Sequence, residues 1–308
     1  MHKELLERFL CCPVDKAFPL EPADAKWSGP SDAASSEMES GSLRCPKCDR
    51  RFPVDNGIPN LLTPRDVQDE KVARAKERES KARDEDSTVY DSTVSAYHTQ
   101  VELEALLSSL DARRNEVVLD LGAGTGRLTI ELATRASVVI AADISPKSLE
   151  LNRHKCRKIP GSRVHHLAVD ACYIPLRDAV VHKAGSGMML EHIPTPDERQ
   201  RCLDEIRRVL VPGGEVALTV YNYSWKKRRR WPREGFHGKD LYFYNLDRAE
   251  MRKMLVEYRI RTLTGLLNLP QRIKLRLLDR AISAVPPVAG LTGELLLAVA
   301  ARKRVPSP

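Results

Sequence analysis

From residue 116 to residue 222, short and nearly unbroken apolar runs alternate with stretches in which apolar positions recur every three or four residues. EVVLDLG (116–122), SVVIAADIS (137–145), SRVHHLAVDA (162–171), AVVHKAGSGMML (179–190) and PGGEVALTVYN (212–222) read as strands covered on both faces. GRLTIELATRA (126–136), SPKSLELNRHKCRK (145–158) and TPDERQRCLDEIRRVL (195–210) read as amphipathic helices between them. Strand–helix repetition with fully apolar strands predicts a mainly parallel α/β sheet with right-handed crossovers. A helix over LDRAEMRKMLVEY (246–258) and strands over RIRTLTGLL (259–267) and GELLLAVAARK (293–303) extend it to seven strands, with helices on both faces.

The flanking pieces follow other rules. In residues 1–64 a stretch rich in Ser, Ala, Pro and Gly (22–42) predicts a flexible excursion between two small β segments, a ribbon-like β domain. Residues 65–100 are highly charged with good helix formers, which predicts a solvated helical linker. The remainder, 101–308, is then the α/β domain, interrupted by a basic insertion at 222–245 and a helical one at about 269–290.

Composition narrows the class. At 42% hydrophobic the 308 residues exclude a disordered chain, and no apolar run approaches the length of a membrane span. The charged N-terminal stretch is unlike a signal peptide, and seven cysteines form no even disulfide framework, so the expectation is a cytoplasmic protein. The net charge of +8 is one-sided. Residues 221–308 hold 19 Lys and Arg against 7 Asp and Glu, which points to an acidic partner: nucleic acid, a membrane surface or an anionic substrate.

The strongest motif is Asp120-Leu-Gly122-Ala-Gly124-Thr-Gly126, where the first strand meets the first helix. Glycines there let the backbone turn sharply and a ligand lie against the main chain. A dinucleotide fingerprint wants its third glycine at position 127, which is Arg, so the spacing favours a different ligand. Asp143 ends the second strand, where an acid accepts hydrogen bonds from both hydroxyls of a ribose, and Asp170 ends the third.

With VLDLGAGTGRLTIELA, AADIS, AVDA, MMLEHIPTPDE and RRVLVPGGEVALTVYN in this order, the chain resembles class I S-adenosylmethionine-dependent methyltransferases, close to the type 11 group. The resemblance implies that Gly122, Gly124 and Gly126 hold the methionine part of S-adenosyl-L-methionine, with Asp120 near its amino group. It puts Asp143 on the ribose and Asp170 near the adenine, with Tyr90 and Tyr97 closing over the cofactor. One departure is Val181-His182-Lys183, where the family usually carries Phe-Asp. Methyl transfer needs alignment of the acceptor and, in some members, a base. Glu191-His192 after the fourth strand offers one, or else caps the following helix, and Tyr221 and Asn222 are candidates for the acceptor pocket.

Cys12-Pro-Val-Asp15 and Cys45-Pro-Lys-Cys48 form two knuckle-like turns, predicting zinc on Cys12, Asp15, Cys45 and Cys48, with Cys11 as a spare thiol. A metal-free ribbon held by its apolar core is the alternative. The segment, with Phe52-Pro53-Val54-Asp55-Asn56-Gly57-Ile58-Pro59, resembles the small zinc-ribbon-like activator subunit of tRNA, rRNA and release-factor methyltransferases. That resemblance implies an activator fused in cis. The run Lys226–Arg230, Trp231, Pro232, Arg233 would suit RNA phosphates and stacked bases, an anionic lipid surface, or a solvated loop. Three functions remain open: methylation of a small metabolite, natural-product or lipid-like acceptor; methylation of tRNA or rRNA; and a cofactor-binding scaffold without turnover.

Overall fold

The computed structural model describes residues 1–29, 36–93, 95–238, 240–267 and 276–304. In chain order the elements are α1 (Lys3–Arg8), β1 (Glu21–Trp27), β2 (Met38–Arg44), β3 (Arg51–Asp55), β4 (Ile58–Leu61), α2 (Glu70–Asp86), α3 (Tyr90–Thr93) and α4 (Ala96–Leu110). There follow β5 (Val117–Leu121), α5 (Arg127–Ala133), β6 (Val138–Asp143), α6 (Pro146–Cys156), β7 (Val164–Val169), β8 (Val181–Gly187), α7 (Pro196–Val209) and β9 (Leu210–Tyr221). The last part holds α8 (Trp225–Arg228), β10 (Glu234–His237), β11 (Leu241–Tyr244), α9 (Arg248–Met254), β12 (Tyr258–Leu266), α10 (Arg276–Ser283), α11 (Pro286–Thr292) and β13 (Leu295–Arg302).

The seven-stranded sheet is present in the order β7-β6-β5-β8-β9-β13-β12, with β13 antiparallel to both neighbours. Continuous burial of β5 and of nearly all β6, β7 and β13 follows from helices lying on both faces. Capping residues cut the helices where the sequence supplies them: Ser145 accepts from the Ser148 amide, Thr195 from Glu198, and Asp247 forms a capping box with Glu250.

The N-terminal ribbon-like β domain is continuous with the main sheet, because β4 pairs in parallel with β7 (Asn60 opposite Ala168, Leu61 opposite Val169), giving one eleven-stranded sheet. Leu10, Leu43 and Val54 belong to the same apolar core as Leu119, Ile140, Leu167 and Leu203. The excursion predicted at 22–42 is largely an antiparallel pair, β1 with β2, pinned by fully buried Met38 and Leu43; its residues 30–35 lie outside the described residues. Within the linker, α2 is docked rather than solvated, burying Val72, Ala73 and Lys76. The basic insertion folds into α8 and the β10–β11 hairpin, and of the helical insertion residues 269–275 lie outside the described residues. Among the described residues no helix is long and apolar enough to cross a membrane.

Candidate functional site

At the C-terminal edge of β5, β6 and β7 lies a cavity floored by the glycine loop and roofed by α2. Its floor is the backbone of Gly122–Thr125; Leu121, Ala142, Ile144 and Val169 make an apolar slot; Lys76, Glu79 and Arg83 reach in from α2; and Met188, Met189, His192 and Tyr242 close the far end. This is the crevice at the strand ends where open α/β sheets hold ligands.

Gly122, Gly124 and Gly126 all take positive φ. A Cβ on Gly122 would meet the Met189 side chain at 2.6 Å, whereas one on Gly124 would meet nothing within 4 Å and would project into open space. Asp143 fixes the loop: its Oδ2 accepts from the Gly124 amide at 2.8 Å and its Oδ1 from the Ser145 amide at 2.8 Å. Each oxygen keeps a lone pair for a ribose hydroxyl. Burial raises its pKa, opposed by those amides and by the positive charge of Arg83. The donor and acceptor set, the slot and the bare Gly124 fit a nucleoside bearing a small charged tail.

Other anticipated ligands are placed differently. Asp120 does not line this cavity; its Oδ2 accepts from the Thr129 hydroxyl at 2.6 Å, burial pushes its carboxyl up to about 7, and it borders a smaller void beside Glu102 and Arg127. Asp170 lines the cavity, but its Oδ2 lies 2.7 Å from Lys76 Nζ and its Oδ1 accepts from the Cys172 amide at 2.9 Å. Lys76 also meets Glu198 at 2.5 Å, so this acid holds down the roof helix, and the two carboxylates keep the lysine charged against the cost of burial. Tyr90 lines the cavity, with its hydroxyl 3.3 Å from the Arg127 guanidinium; Tyr97, in the first turn of α4, is instead half-buried against the apolar core.

His192 lines the cavity, and its Nδ1 sits 2.6 Å from the Tyr242 carbonyl. A carbonyl only accepts, so Nδ1 carries the proton and Nε2 keeps a free pair. Burial and the charge of Arg83 hold its pKa well below the usual value, so the ring is neutral. The Tyr221 ring meets it edge-on at 6.0 Å and the His237 ring lies tilted to it at 6.5 Å. Asn222 is no pocket residue: its amide donates to the Gly290 and Gly293 carbonyls at 3.0 and 2.9 Å, tying down α11.

Glu191 also departs from expectation. It is 0% exposed, stands outside the cavity lining, and neither carboxylate oxygen has a hydrogen-bond partner among the described residues. Burial pushes its pKa up to about 8 from 4.5. Between those values the folded state holds a proton that the unfolded chain releases, so stability is full below about pH 4.5 and is lost as pH rises through 8. Glu191→Gln, which keeps the shape without the titration, should raise Tm at pH 8.5 by about 5 °C, on the order of 2–3 kcal/mol, and hardly change it at pH 5. Differential scanning at both pH values checks this; no difference at pH 8.5 contradicts it.

In the ribbon, the ligand atoms of Cys12, Asp15, Cys45 and Cys48 all lie within 4.8 Å of one another. The Cys12 and Cys48 sulfurs are 3.7 Å apart, and Cys45 Sγ is 3.5 Å from Asp15 Oδ1. Tetrahedral zinc–thiolate bonds of about 2.3 Å place sulfurs about 3.8 Å apart, so the donor set fits zinc. Cys11 points elsewhere, buried near Lys16 and Arg208.

Sequence reasoning missed Lys76, Glu79, Arg83 and Tyr242. The first three recur at three- and four-residue spacing on one face of α2, a signal hidden by the uniformly charged background. Tyr242 depends on the hairpin, which no local pattern announces.

Comparison with known proteins fits this geometry. Residues 118–214 match the family model described as a methyltransferase domain, and residues 3–57 match that of Trm112p-like proteins. A demethylmenaquinone methyltransferase of Clavibacter sepedonicus is 32% identical over 143 residues, 45% of this chain and 56% of the relative. A tRNA (carboxymethyluridine(34)-5-O)-methyltransferase of Arabidopsis thaliana is 31% identical over 121 residues, 39% of this chain and 27% of that one. The chain thus spans only part of the length of the curated relatives it matches. Among solved structures, a chain from a complex between the Haloferax volcanii Trm112 methyltransferase activator and a candidate methyltransferase superposes with a TM-score of 0.52 at 18% identity, covering 76% of this chain and 100% of that one.

Proposed function

Because the chain carries a class I methyltransferase domain with a Trm112p-like domain built onto the edge of its sheet, we propose that it transfers a methyl group from S-adenosylmethionine to a small, lipid-like acceptor. The observation that carries this is the conjunction, in one cavity, of the open Gly124 floor, the Asp143 carboxylate and a neutral His192 oriented by the Tyr242 carbonyl. When bound, S-adenosylmethionine supplies a methyl group on a sulfonium that leaves without needing a proton. The chain's own work is to hold, orient and dehydrate. The glycine loop and Asp143 fix the nucleoside and tail, and the apolar slot excludes water. His192 Nε2 takes the proton from the acceptor's hydroxyl or acidic carbon as its new bond to the methyl group forms. Cys12, Asp15, Cys45 and Cys48 hold a structural zinc in this account, giving the ribbon a fixed shape against β7.

A second reading, an RNA acceptor, is favoured by one observation, the exposed cationic run Lys226, Arg228, Arg229 and Arg230. The small-acceptor reading is preferred because the reacting end of the cavity sets the apolar side chains of Met188, Met189 and Ile193 beside His192 and Tyr242.

The test is His192→Asn, which preserves an Nδ1-like donor toward Tyr242 and removes the base. It should lower kcat by about a hundredfold or more with S-adenosylmethionine affinity unchanged. Since the His192 pKa is depressed, wild-type kcat should show no loss as pH falls through 6.5. Unchanged kcat in the variant removes His192 from the chemistry.

A further inference from the structure

Beside the reacting end of the cavity lies a surface whose composition the transfer chemistry leaves unexplained. After Tyr221 and Asn222 the chain turns into α8, which rests on α11, and α10 packs on α11 in turn. Leu278 and Ala281 on α10, Val285 at the turn between the helices, and Val288 and Leu291 on α11 form an apolar stripe of exposed residues, Leu291 to 60%. Two exposed indoles belong to the neighbouring stretch of chain, Trp225 at 53% on α8, which packs on α11, and Trp231 at 61% just after it. Cationic side chains come from the same stretch: Lys226, Arg228, Arg229 and Arg230 are all exposed, and the Arg229 guanidinium lies over the Trp225 ring at 4.2 Å.

We propose that this face, formed by α8, α10 and α11, docks onto an anionic lipid surface and presents the cavity to an acceptor held in the membrane. Three features belong together in such a contact. Aliphatic side chains enter the acyl boundary, indoles settle at the headgroup level, and cations meet the lipid phosphates. A nucleic-acid surface accounts for the cations and the indoles but leaves four exposed Val and Leu side chains unmatched, since phosphates and stacked bases offer them nothing. The excess of 19 Lys and Arg over 7 Asp and Glu in residues 221–308 gives the long-range attraction its sign. The stripe also connects to the chemistry: Lys227 follows directly in α8, its ammonium lies 4.8 Å over the Tyr221 ring, and that ring meets His192 edge-on.

The proposal deepens the methyl-transfer reading and rests on it for the purpose of docking, though not for the docking itself. The experiment is co-sedimentation of the full chain with vesicles of phosphatidylcholine alone and with about one third phosphatidylglycerol, at low and high salt. S-adenosylmethionine binding is measured by calorimetry on the same preparations. The expected result is binding to the anionic vesicles that weakens with salt and is poor on phosphatidylcholine. Val288→Glu/Leu291→Glu should lower the partition coefficient about tenfold or more, as should Arg229→Ala/Arg230→Ala, both with Tm and cofactor affinity unchanged. Three results would overturn the proposal: wild-type protein that ignores anionic vesicles, partition insensitive to the aliphatic pair, or tight binding of polyuridylate lost only in the arginine variant. Vesicle binding by a chain that fails to bind S-adenosylmethionine would instead keep the docking face and sink the methyl-transfer reading.

Discussion

Gly124→Val should weaken S-adenosylmethionine binding by at least about a hundredfold while the protein stays folded. At φ +49° a branched residue is strained, and the cost is about 1–2 kcal/mol, well below what a domain of this size tolerates. No protein atom lies within 4 Å of the added Cβ, so nothing in the fold is displaced. What the isopropyl group meets is the space over the loop, where Asp143 and the main chain are arranged for a ligand. Gly161 supplies a matched control, with φ +70° and an equally open Cβ direction but no place in the cavity. Gly161→Val should share the small loss in Tm and keep full affinity by calorimetry. Equal affinity in both variants would contradict the assignment of the loop.

The second large effect concerns the ribbon. Cys45→Ser should lower the zinc content from about one per chain to near none and lower Tm by about 10 °C, because metal-site free energy is folding free energy in so small a module. The loss should not stay local. The turns bearing Cys12 and Cys45 sit in the same core as Leu167, Leu176 and Leu203, and the Cys11 amide and Phe9 carbonyl bond to Pro175 and Arg177 beside β7. A shared core transmits the disturbance, so both parts should melt in one transition at a lower temperature. Metal analysis and calorimetry read this directly. A wild-type protein purified without zinc, with a Tm that Cys45→Ser leaves unchanged, would favour a ribbon held by its apolar core alone.

The legible parts of the molecule were those in which local pattern and tertiary role agree. β5, β6 and β7 read as buried strands because their residues are apolar regardless of neighbours, and Gly122, Gly124 and Gly126 read as a ligand loop because little else requires three glycines there. Cys12, Asp15, Cys45 and Cys48 could be grouped by spacing alone, although the two halves lie far apart in the sequence. Where a side chain's task depends on a distant partner, the pattern was silent. Asp170 is a nucleoside ligand by position but spends both oxygens on Lys76 and the Cys172 amide. Asn222 adjoins the acceptor end yet serves as a clasp for α11, and Glu191 next to His192 is a buried carboxyl without a hydrogen-bond partner among the described residues. The roof helix α2 is the plainest case. Its charges suggest solvent, and only the opposing Asp170, Asp143 and Glu198 reveal that one face of it is interior.

The most direct measurement is a transfer assay with methyl-labelled S-adenosylmethionine and an extract of the source cells, split afterwards into organic-soluble, RNA and protein fractions. This account predicts label in the organic-soluble fraction, abolished by Gly124→Val and greatly reduced by His192→Asn. Label confined to RNA, or no transfer to any fraction by a protein that binds the cofactor, would contradict it.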